Sequence, residues 1–89
     1  MAEVQIPPRY RGVTLGTKQV QVDGDTVIAC LEKVEEVYPG FLELVLSDSG
    51  ALRKFARLFL NGEALPADGL ATKVTPEDVL AVVTSAAGG

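Results

Sequence analysis

Few side chains in this sequence are of a type that does chemistry, and those few are not arranged as chemistry requires. There is one thiol, Cys30, and no histidine among the 89 residues. A reactive cysteine needs a neighbouring base or cation to lower its pKa, and a metal site needs several ligands at set spacing. Neither accompanies Cys30, whose place on the apolar side of a helical repeat marks it as a small core residue. Glu32, Lys33, Glu35 and Glu36 read as the solvated face of the same helix, since a carboxylate pair for acid–base work needs an enclosing pocket. Phe59, Ala81 and Val83, with Arg57, are candidates of another kind, because alternate positions on two strands place them on one open face suited to docking a partner. Phe59 packed under a neighbouring loop is an equal reading of the same pattern. The last candidate is the closing pair Gly88-Gly89, after Ala87. Taken alone, a glycine pair at a terminus is more often a frayed end than a functional group.

The elements that would position these residues follow from hydrophobic spacing. Residues 3–6 and 18–22 alternate polar and apolar, which predicts two strands with Val4, Ile6, Val20 and Val22 facing the core and pairing as a hairpin. Residues 7–17, with two prolines and two glycines, make a wide connecting loop. Asp23-Gly24-Asp25-Thr26 ends the second strand and supplies capping oxygens to a helix in which Val27, Cys30, Leu31, Val34, Val37 and Tyr38 recur at helical spacing. Pro39-Gly40 ends it, and residues 41–46 form a further helical turn before the turn residues 47–50. Residues 55–60 then read as a strand running into Asn61-Gly62, a pair suited to the positive φ angles of a type I′ hairpin. Residues 75–78 turn again, and 79–83 form a continuous apolar run that predicts a central, buried last strand. Strand, strand, helix, strand and strand on one sheet, with right-handed crossovers, places the first and last strands side by side and parallel. That is an α+β β-grasp, with a mixed sheet and one main helix on one face. Residues 1–84 are expected to form the domain, and 85–89 a flexible tail of small residues with nothing to pack.

Composition narrows the function classes. Hydrophobic residues are 47% and charged residues 22%, as in an ordinary globular domain. The chain is long enough for one core but short for a core plus an elaborate catalytic cleft, so it is not expected to be an enzyme. A formal charge of −4 without a basic cluster argues against nucleic acid and favours a basic protein partner. No apolar run approaches the roughly 20 residues of a membrane span, and residues 1–6 do not form a signal sequence. With a single cysteine, a reducing cytoplasm is the expected setting.

The strand order, the helix start at Asp25-Thr26-Val27 and a last strand leading to Gly88-Gly89 together resemble the ubiquitin-like sulfur carriers, the MoaD and ThiS family, over essentially the whole chain. Val4-Gln5-Ile6-Pro7, Leu58-Phe59-Leu60-Asn61, Asp68-Gly69-Leu70-Ala71-Thr72 and Ala87-Gly88-Gly89 are similar to the branch that serves cysteine biosynthesis. Thr84-Ser85 stands where this family often has a proline, which points away from the molybdopterin branch. The resemblance implies that the Gly89 carboxylate is adenylated and converted to a thiocarboxylate. Gly88 and Ala87 would be recognised as the tail, because residues without bulky side chains pass a narrow channel. The implied partners are an adenylating enzyme of the ubiquitin-activating type, a sulfur donor or sulfurtransferase, and a sulfur-accepting synthase. No cofactor is bound by this chain; ATP and magnesium belong to the activating enzyme. Rival expectations are a modifier joined to lysines by isopeptide bonds, the small subunit of a molybdopterin synthase, and an interaction domain with an inert tail.

Overall fold

Alternation in the first residues produces an antiparallel pair. In a computed structural model, which describes residues 1–84, β1 (Ala2–Gln5) pairs with β2 (Gln19–Val22) in the register Ala2 with Val22 and Val4 with Val20. The chain then crosses the sheet through α1 (Val27–Val37) and the short α2 (Leu42–Val45). It returns in β3 (Ala56–Leu60), β4 (Glu63–Ala64) and β5 (Val79–Thr84). The strand order is β2-β1-β5-β3-β4, with β1 and β5 parallel and the other pairs antiparallel. This is the expected mixed sheet, with β5 at its centre. The expected tail, residues 85–89, lies outside the described residues.

Register explains which face is buried. Val20, Val4, Leu80 and Leu60 form one row across four strands, and with Leu58 and Val82 they face α1, where Val27, Cys30, Leu31 and Val34 are fully buried. The helix begins where Thr26 Oγ1 accepts from Ala29 N at 3.2 Å, the side-chain cap that its type favours. Thr72 and Asp25 tie that end down, Val27 N donating to Thr72 O and Val74 N to Asp25 O. Phe41, just before α2, is the largest fully buried side chain.

Three expectations need correction. Helical spacing puts Val37 on the apolar side of the helix, but it is 61% exposed in the last turn, because the chain reverses at Pro39-Gly40 and none of the described residues covers that side. Glu35 is not a solvated residue. Its carboxylate accepts from Gly40 N at 3.1 Å and from Leu42 N at 2.7 Å, closing the reversal between the helices. Residues 7–17 are more than a loop: a 3-10 turn, Pro8–Tyr10, buries Tyr10, whose hydroxyl donates to Leu44 O at 3.0 Å, and Thr14 is fully buried.

The hairpin after β3 takes its expected form. Asn61 and Gly62 have φ of 51° and 86°, both positive as a type I′ turn requires. Asn61 also donates through Nδ2 to Asp78 Oδ1 at 2.9 Å, while its Oδ1 accepts from Val79 N at 2.9 Å. Asp78 accepts in addition from Thr75 N at 2.8 Å. The Thr75 amide first, and the Asn61 amide second, hold the Asp78 carboxyl below the usual carboxylate range. A depressed native pKa means that this stabilisation is present above the ordinary carboxylate value of about 3.9 and is lost as pH falls through the native value. Asp78→Ala should therefore melt below the parent at pH 7, and the gap should close in acid. Thermal unfolding of both proteins across that range checks it, and an unchanged gap would show that the carboxylate charge contributes nothing.

Candidate functional site

Strand alternation and cross-strand pairing assemble the face opposite α1. Across the five strands one row reads Gln19, Gln5, Ala81, Phe59 and Ala64. In the next row Arg57 stands opposite Val83. This face is therefore polar over β2 and β1 and apolar over β5 and β3. Phe59, Ala81, Val83 and Arg57 are brought together on it. Val83 is 39% exposed, whereas Phe59 and Ala81 are half-buried. The expectation of a buried last strand thus holds for one face only, since Leu80 and Val82 are buried while Val79, Ala81 and Val83 lie on the open side. Arg57 is exposed on this face, with one guanidinium nitrogen engaged by the backbone. Its Nη1 donates to the carbonyls of Lys54 and Ala56 at 2.9 and 3.0 Å, which pins the loop entering β3.

Phe55 stands in the turn just before β3, whereas the sequence places it inside the strand. β3 begins one residue later, so Phe55 is an exposed ring with the Lys54 ammonium 5.8 Å from its centre.

A second missed feature adjoins the end of β5. The β1–β5 ladder stops at Gln5 with Ala81, because Pro7 and Pro8 follow and proline has no amide hydrogen to continue it. The two chain segments diverge there, leaving a groove of about 540 Å³ between residues 5–8 and 81–84. Arg11 and Lys18 line it, Arg11 fixed by donating from Nε to Ile6 O at 3.2 Å. Two cations thus flank the strand end from which the chain continues toward Gly88-Gly89. Prolines directly after a strand were the legible sign of a ladder cut short. Ala87, Gly88 and Gly89 themselves lie outside the described residues.

Cys30 is fully buried. Burial first, and the Asp25 charge second, push its thiol pKa up, the opposite of what a nucleophile needs. Its packing is close enough to dictate the residue opposite: a Cβ on Gly24 would fall 2.8 Å from Cys30 N and 3.0 Å from its Sγ. Cys30→Ala should stay folded and lose less than the ~2–5 kcal/mol of a buried Leu→Ala change, the group removed being smaller. Denaturant titration measures this, and in the parent a thiol reagent should react only as the protein unfolds. Fast labelling of the native chain would contradict the burial. Among the described residues no cluster of His, Cys, Asp or Glu could hold a metal ion, and no helix is long and apolar enough to cross a membrane.

The five-stranded mixed sheet crossed by one main helix is a ubiquitin-like β-grasp, and its outer face is apolar over the central strand. The profile of the ThiS family matches residues 4–89, and the chain belongs to that family. It is 34% identical to the sulfur carrier protein CysO of Mycobacterium tuberculosis, over 97% of this chain and 96% of that one. It superimposes on a chain from the crystal structure of the Amycolatopsis orientalis BexX/CysO complex with a TM-score of 0.88 and 30% identity, each chain covered completely at 100%. The Haloferax volcanii small archaeal modifier protein 1 is also similar, with a TM-score of 0.76, 28% identity and coverage of 94% of this chain and 95% of that one.

Proposed function

We infer that this chain is a sulfur carrier whose Gly89 carboxylate is the reacting group. The observation that supports this most is the position of β5: the central strand of a ThiS-family domain ends beside a groove flanked by Arg11 and Lys18, and it is the strand that precedes Gly88-Gly89 in sequence. A terminal carboxyl, with a reference pKa of about 3.3–3.7, is ionised at pH 7. On an adenylating enzyme its oxygen attacks the α-phosphorus of ATP and pyrophosphate leaves, giving an acyl-adenylate. A sulfide-level donor then attacks the acyl carbon and displaces AMP, leaving a thiocarboxylate; where a sulfurtransferase persulfide attacks instead, the acyl disulfide it forms releases the thiocarboxylate when a second thiol attacks the S–S bond and is itself oxidised to the disulfide. Magnesium and cationic groups of that enzyme stabilise the charge that develops on phosphate; this chain contributes the substrate and the docking face. A synthase that builds cysteine or another sulfur-containing metabolite takes the sulfur, in the cytoplasm. Incubation with a cognate activating enzyme, ATP, magnesium and sulfide should raise the intact mass by the difference between sulfur and oxygen. No mass change with an enzyme that activates a related carrier would overturn the reading.

The similarity to a small archaeal modifier protein favours one second reading, in which the activated Gly89 carbonyl is attacked by a lysine amine and forms an isopeptide bond. Conjugates that keep the Gly-Gly remnant on lysine after proteolysis would identify it. The small-subunit role in molybdopterin synthase is the less favoured, given Thr84-Ser85 in place of proline.

A further inference from the structure

On the helical side of the molecule, away from the outer sheet face, α1, α2, the turn 47–50 and a 3-10 turn at Gly69–Ala71 surround an open groove of about 710 Å³. Its floor is apolar. Ile28, Leu42 and Leu70 are half-buried, packed on the core by one side and open to the groove by the other, and Leu46 is buried beneath them. Its margin is acidic: Glu32, Glu43 and Asp48 are exposed there, and no lysine or arginine lines the groove. No salt bridge joins these three carboxylates to a described cation. Among the described residues the one ion pair joins Lys33 to Glu36, at 3.8 Å, and Arg53 meets Glu43 through its backbone carbonyl. Glu35 differs from the others, its carboxylate being held by the amides of Gly40 and Leu42 as part of the fold.

We propose that this groove docks a short basic amphipathic helix from a partner protein, apolar side chains on the leucine floor and lysines or arginines against Glu32, Glu43 and Asp48. Apolar grooves of this kind receive helices through side chains at i, i+3, i+4 and i+7, and a cleft lined by one sign of charge draws in the opposite sign. The same carboxylates repel nucleic acid, anionic membranes and fatty acids, and a neutral apolar ligand leaves them unanswered. The groove shares no residue with the cleft at the end of β5, so its occupancy can be tested without the activating enzyme.

The test is an NMR titration of the full-length 15N-labelled chain with a synthetic helix of about three turns, bearing Leu on one face and Lys on the rest. Saturable shifts centred on Ile28, Leu42, Leu46 and Leu70 are expected, with affinity falling severalfold at high salt because exposed charges are screened. The double variant Glu32→Lys, Asp48→Lys alters exposed positions and should keep the parent's spectrum while binding about tenfold more weakly. A peptide with Glu in place of Lys, and a scrambled basic peptide without an apolar face, should both fail to shift the groove. The proposal is overturned by binding of either control as tight as that of the basic helix, by undiminished binding to the double variant, or by absence of saturation. It is also overturned by shifts centred on Phe59 and Val83. Shifts in the groove that grow with protein concentration alone would assign it instead to a second copy of this chain.

Discussion

A chain carrying one additional alanine after Gly89 is expected to fold as the parent does and to gain no sulfur. The core among the described residues runs from Ala2 to Val82, and an addition after Gly89 lies outside it in sequence, so thermal unfolding of the extended chain should match that of the parent. The chemistry differs because the reacting carboxylate moves one residue further along the chain and carries a methyl group on its α-carbon. In-line attack on phosphorus tolerates little displacement; misplacing a reacting atom by roughly 1 Å can cost about a hundredfold, and one residue of extended chain spans roughly 3.3 Å. Deleting Gly89 shifts the carboxylate the other way and should abolish activation equally. Gly88→Val leaves the carboxylate in place but restricts the backbone and widens the tail, so it should slow activation without moving its chemistry. Pyrophosphate release and intact mass, measured side by side for the four chains, resolve these outcomes. An extended chain adenylated as fast as the parent would mean that the Gly89 carboxylate is not the reacting group.

Legibility varied with how local the determinant was. The hairpin at Asn61-Gly62 and the cap at Thr26 depend on a few adjacent residues, and both stand where the sequence placed them. The parallel pairing of β1 with β5 is distant in sequence, yet the order of elements left few right-handed alternatives. Errors arose where a tertiary neighbour decided the outcome. Helical spacing put Val37 inward, but burial in the last turn depends on what the following chain covers, and the reversal at Gly40 turns it away. The charge of Glu35 pointed to solvent, while two amides seven residues or fewer downstream claimed it. The two-residue β4 has too few residues to show alternation at all. The same holds for the site. Alternation alone grouped Phe59, Ala81 and Val83, whereas the cations at the end of β5 come from Arg11 and Lys18, on a segment whose path only the folded chain defines.

Val83→Asp should lower the rate of activation by at least about tenfold while leaving the fold intact. The residue stands in the central strand one position before Thr84, faces away from α1 and is 39% exposed, so a carboxylate there remains hydrated and the stability change should stay near 0.5 kcal/mol. A partner that contacts the end of β5 also meets this face, and an apolar anchor at the centre of such a contact typically contributes about 2 kcal/mol or more when truncated, by the general pattern of interfaces. Phe59→Asp is the harsher change: Phe59 is half-buried between Ala81 and Ala64, so part of its loss is stability. Phe59→Ser separates the two effects, removing the ring without burying a charge. If the face carries partner recognition, both variants raise KM for the carrier more than they lower kcat, because they weaken docking and leave the Gly89 carboxylate unaltered. Arg57→Ala supplies the contrast, since that guanidinium is spent on the carbonyls of Lys54 and Ala56, and its removal should lower the melting temperature with little effect on KM. The reverse pattern, with Arg57→Ala raising KM and Val83→Asp silent, would move the docking surface off the apolar ridge and toward the loop that enters β3.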